Sequence, residues 1–104
     1  MIQWLKKKAV QKSQSNINII LNNLVPICQA LDDEILANGG KPVTAGPLFD
    51  LLMQQRQELF FQLNGPMPIQ EVRAHVEPLL ASAPRSVRLA VEATIDEYEK
   101  DLRE

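Results

Sequence analysis

The sequence predicts an all-α protein built as an antiparallel four-helix bundle or a close relative, and three observations carry that expectation. Ile17, Leu21, Leu24, Cys28, Leu31 and Ile35 follow one another at steps of 4, 3, 4, 3 and 4. At 3.6 residues per turn, that spacing holds a single apolar stripe on one helix face. Glycine and proline gather at Asn38-Gly39-Gly40, Gly46-Pro47, Asn64-Gly65-Pro66 and Ser82-Ala83-Pro84, which divides the chain into four segments. None of these alternates like a strand, and there is no internal repeat or low-complexity tract.

The first segment runs from about residue 2 to Ala37, where Asn38-Gly39-Gly40 supplies left-handed residues to end it. Ile20, Val25, Ile27 and Leu36 widen its stripe beyond a coiled-coil seam, so it is expected to pack on more than one neighbour. Unbroken, it would be about 54 Å long at 1.5 Å per residue, roughly twice the others. A break is therefore expected at Ser13-Gln14-Ser15-Asn16, because Ser and Asn favour N-caps over helix interiors. Pro26 removes a backbone hydrogen bond and disfavours α for Val25, which predicts a kink there.

Pro47 suits the first position of a second helix ending near Leu63, with Leu48, Leu52, Leu59 and Leu63 inward and Phe49, Met53 and Phe60 alongside. A third helix opens at Pro68, with Glu71 near its positive end and Ile69, Val72, Val76, Leu79 and Leu80 as its apolar set. Pro78 is expected to kink or split it. The fourth starts at Ser82-Ala83-Pro84 and uses Val87, Val91, Ile95, Tyr98 and Leu102. Short loops between amphipathic helices favour antiparallel neighbours, which places both ends of the chain at one end of the bundle.

At 104 residues, with 45% apolar and 23% charged side chains, this is one domain (residues 1–104) able to bury its own core. Residues 1–12 stand apart as a possible N-terminal arm. They carry Lys6, Lys7, Lys8 and Lys12 and no acid, while Glu92, Asp96, Glu97, Glu99, Asp101 and Glu104 crowd the other terminus. The two ends are expected to meet and partly neutralise one another. A net charge of −2 is too small to suggest a nucleic-acid binder. With no secretory signal, no bilayer-length apolar run and a single cysteine, the expected location is cytoplasmic.

Catalytic chemistry finds little to build on. His75 and Cys28 have no second strong metal ligand at helical spacing, and Asp32, Asp33 and Glu34 fan around their helix instead of converging. Cys28 lies on the apolar stripe and reads as a small buried hydrophobe. Asn38-Gly39-Gly40-Lys41 lacks the strand and spacing of a phosphate loop. No enzyme, metal or cofactor is expected.

What remains is binding. The expectation is a small protein–protein interaction module, an accessory, regulatory or adaptor subunit, that binds another protein or itself, with a homodimer favoured. Its contact surface is expected among apolar residues left over once each helix has one inward stripe: Trp4, Leu5, Phe49, Phe60, Phe61 and Met67. The arm should dock on its own bundle or on a second copy. Two alternatives are weaker. Arg85, Ser86 and Arg88, in the helix starting near Pro84, suit DNA, although Glu92, Asp96, Glu97 and Glu99 follow them. The basic first helix could lie on an anionic membrane with Trp4 as anchor, but Lys12 interrupts its apolar face.

Overall fold

The computed structural model describes residues 2–103 and contains four helices: α1 (Ile2–Ala37), α2 (Pro47–Leu63), α3 (Ile69–Ala81) and α4 (Arg85–Arg103). Among the described residues there is no strand. Side-chain pairs fix the directions. Ser13 meets Gln62 and Asn23 meets Gln55, so α1 and α2 are antiparallel. Arg56 meets Thr94 and Phe60 meets Tyr98, so α2 and α4 are parallel. Arg73 meets Asp96 and Glu99 while Leu80 and Ala81 share a cleft with Arg88, so α3 and α4 are antiparallel. The helices therefore run up, down, up and down. α1, α2 and α4 pack on one another, α3 packs on α4, and His75 reaches Asn18 of α1.

The punctuation residues act as anticipated. Gly39 and Gly40 adopt φ of 71° and 81°, and the Gly40 N–H donates to the Ile35 carbonyl at 2.8 Å, closing α1 as left-handed residues do. Pro47 opens α2, while the Pro68 carbonyl accepts from Glu71 and Val72, and that of Pro84 from Val87 and Arg88. Each proline sits where a missing donor costs nothing.

The first helix departs from expectation. It is unbroken across residues 13–16 and spans 36 residues, nearly matching the 56 Å long axis of the molecule. Ser13 is not a cap. It is buried one step before Ile17 on the core stripe, where its hydroxyl donates to Gln62 Oε1 at 3.3 Å. Helix also continues through Pro26 and Pro78. Their missing N–H groups leave the carbonyls of Asn22 and Ala74, both on exposed residues, without the usual helical donor. Pro78 therefore does not split α3.

The core draws Ile17, Ile20, Leu21, Leu24 and Cys28 from α1, Leu59 and Leu63 from α2, Val72, Val76 and Leu80 from α3, and Val87, Val91 and Ile95 from α4. Leu79, Leu36 and Leu102 were expected inward but lie exposed. Thr94 is buried among the apolar residues of α4. It donates to the Ala90 carbonyl at 2.8 Å and accepts from Arg56 Nε at 2.9 Å, so its buried hydroxyl is satisfied both as donor and as acceptor.

Gly65 closes the turn after α2. A methyl group there would lie 2.9 Å from the Gln62 carbonyl oxygen and 3.6 Å from Ser13 Oγ. Gly65→Ala is expected to destabilise the fold by about 1 kcal/mol in a denaturant titration, since the nearest neighbour is backbone and cannot yield cheaply.

Candidate interaction surface

Stepping back from Ile17 along the core face of α1 gives Ser13, Val10, Lys6 and Gln3. The apolar stripe thus stops at Val10, which is half-buried, and Lys6 and Gln3 are exposed. With polar residues at the core-facing positions 3 and 6, two further turns of α1 run past the turn joining α2 to α3. Residues 3–9 are exposed throughout. Trp4 and Leu5 lie off the core line, each 60% exposed. Lys8 Nζ stands 4.6 Å from the Trp4 ring centroid, a cation–π contact one turn along that holds the indole against the helix.

Of the two dockings expected for the arm, the one on its own bundle is confined to Val10, which packs against the core; residues 3–9 are all exposed and do not pack inward. Nor do its lysines neutralise the acidic end of α4. That end lies on the same side of the bundle, but three of its acids are engaged by arginines instead. Glu97 pairs with Arg56 at 3.0 Å, Asp96 with Arg73 at 3.0 Å, and Glu99 with Arg73 and Arg103. Among the described residues, Lys6, Lys7, Lys8 and Lys12 form no ion pair.

The remaining expected surface residues do not converge on the arm. Phe61 is 71% exposed and points outward from α2. Phe60 and Phe49 are half-buried, and Phe60 packs edge-on to Tyr98 with centroids 5.3 Å apart. Phe60 also lines a mostly apolar groove between α2 and α4 with Met53, Arg56 and Thr94. Met67 is corrected outright. At 3% exposure it fills the core beneath the α2–α3 turn, where the short Gly65-Pro66 bend folds its side chain inward.

At the start of α4, the Ser86 hydroxyl donates to Asp32 Oδ2 at 2.8 Å. A carboxylate therefore sits beside the group a DNA phosphate would need. Arg88 shares a cleft of about 470 Å³ between α3 and α4 with Arg73, Glu77, Glu92 and Asp96, above a floor of Val76, Leu80 and Ile95. Three carboxylates in that cleft would oppose a polyanion.

Cys28 is buried, and burial pushes its thiol pKa up, with Asp32 adding to the rise and Ser86 partly offsetting it. The protonated thiol thus persists at pH values where an exposed cysteine ionises, and only the thiolate is reactive. The folded protein is expected to react slowly with a soluble disulfide reagent at neutral pH, and at the rate of a free thiol once denatured. His75 Nε2 lies 2.8 Å from Asn18 Oδ1, an interhelical hydrogen bond. Among the described residues, no three His, Cys, Asp or Glu side chains group to hold a metal ion. No described helix is long and apolar enough to cross a membrane.

Sequence reasoning missed three polar positions: Ser13, Thr94 with Arg56, and Arg73 bridging to α4. Ser13 and Thr94 were visible as polar residues at stripe spacing, four before Ile17 and three after Val91. Arg73 left no such signal, since its partners are 23 and 26 residues away. No family model matches the chain, and neither does any curated protein or solved structure. The fold and this surface therefore define the class alone: an all-α four-helix bundle carrying a projecting basic helical arm.

Proposed function

We propose that this chain is a protein–protein interaction module whose docking element is the projecting start of α1, held through Trp4 and Leu5. One observation carries the reading: a tryptophan and a leucine stand exposed side by side on a stretch of helix, residues 3–9, whose side chains are all exposed. Aromatic anchors of this kind dominate binding energy where they fill a partner's pocket. The surrounding lysines set orientation and encounter rate more than affinity, because exposed ion pairs are each worth about 0–1 kcal/mol. The exposed Phe61 and the Phe60 groove offer a separate, smaller surface on α2.

The test compares two variants in complex formation followed by light scattering and native mass spectrometry. Trp4→Ser with Leu5→Ser is expected to abolish association while leaving the helical circular-dichroism spectrum and melting unchanged, since neither residue is in the core. Replacing Lys6, Lys7 and Lys8 with Gln is expected to weaken association only a few-fold. The reverse ranking would sink the reading. So would retention on heparin or anionic vesicles that depends on the lysines, which would move the arm to nucleic acid or membrane.

A further inference from the structure

We infer that the occupant of this surface is a second copy of the chain, with the outer faces of two α1 helices paired antiparallel. This rests on the reading of the arm just given and extends it along the whole helix. The outer face of α1 carries Trp4, Lys8, Lys12, Ser15, Ile19, Asn22, Pro26, Gln29, Asp33 and Ala37 at steps of three and four, and every one of them is exposed. From Lys12 to Asp33 the steps alternate 3 and 4, the spacing of a helix–helix seam. Ile19, 56% exposed, lies near the midpoint of the helix.

The charges select the direction. α1 holds four lysines between residues 6 and 12, no charged residue from 13 to 31, and then Asp32, Asp33 and Glu34. Those acids occupy the negative end of the helix dipole, with no basic residue in the last turn to offset it. Among the described residues, Asp33 and Glu34 form no ion pair. Parallel pairing would set lysine against lysine and acid against acid. Antiparallel pairing about a two-fold axis sets Lys8 of each copy against Asp33 of the other, with Trp4 over Ala37 and Lys12 beside Gln29. It satisfies both ends at once, as a self-complementary dimer face must.

The apolar content is modest, so the dimer is weak. A seam along a 36-residue helix covers roughly 1,000 Å² in total, near the lower limit for a specific interface. Association is therefore concentration-dependent and weakens with salt.

The test is sedimentation equilibrium of the full chain over a wide concentration range, with charge-swapped variants. Lys8→Glu with Lys12→Glu, or Asp33→Lys with Glu34→Lys, is expected to weaken the dimer about tenfold or more, because the symmetry counts each change twice. Combining all four is expected to restore most of the affinity, which mere structural damage could not do. In a Cys28→Ala background, mixing Lys8→Cys protein with Asp33→Cys protein under mild oxidation is expected to yield the mixed disulfide in preference to either homodimer. A parent that stays monomeric throughout would overturn the inference. So would loss of rescue, or preferential homodimer cross-links, in a dimer that Trp4→Ser with Leu5→Ser still dissolves, and the arm reading would then survive without the antiparallel seam. A dimer indifferent to Trp4 and Leu5 would overturn both.

Discussion

Leu24→Ala is expected to destabilise the bundle by about 2–5 kcal/mol, the largest effect of any single truncation on α1. Leu24 is fully buried at the centre of the stripe from Ile17 to Cys28, on the helix that packs against both α2 and α4. Removing its isobutyl group forfeits burial and leaves a cavity between long helices that cannot close independently. A domain of this size holds only about 5–15 kcal/mol in all, so the variant should melt well below the parent. Leu31→Ala sits lower in the same range, because Leu31 keeps slight exposure and lies nearer the end of α1. Urea titration of the two variants checks the order. Equal midpoints for Leu24→Ala and the parent would mean that the stripe faces a partner instead of the core.

Ser13→Asp is expected to cost about 1–3 kcal/mol, as a buried group left without adequate partners does. The substitution separates the two readings of residues 13–16. At a helix N-cap, Asp replaces Ser with little change or a gain. Inside a continuous helix, Ser13 is buried against Gln62 and the Gly65 turn, and a carboxylate there faces the Gln62 carbonyl side with no cation supplied. Thermal melting at neutral pH and again near pH 3 decides it. The deficit should shrink in acid, where the aspartate is neutral.

Most of the fold was legible because it rests on local rules. The α1 stripe, the glycine stops and the proline starts each act within a few residues, and all four helices follow from them. Ser13 failed because a hydroxyl's local preference for caps was outweighed by a neighbour 49 residues away. The split considered at Pro78 does not occur, since the helix loses only one hydrogen bond there and continues through it. For the candidate surface, Trp4 and Leu5 were legible as apolar residues off the core line. Met67 was not, because a two-residue bend decides which way it turns. The engagement of the α4 acids by Arg56 and Arg73 was equally hidden, being a matter of tertiary placement alone.

Trp4 is the only tryptophan, so its fluorescence reports the arm and nothing else. The most direct measurement is its emission and acrylamide quenching as the protein concentration is raised through the range where light scattering detects association. Dilute protein should emit as an exposed indole and be readily quenched. Concentrated protein should shift to the blue and become protected, while protein carrying Lys8→Glu and Lys12→Glu stays exposed at the same concentrations. An indole that remains exposed and quenchable while the chain is demonstrably dimeric would contradict the account, because the arm would then lie outside the interface.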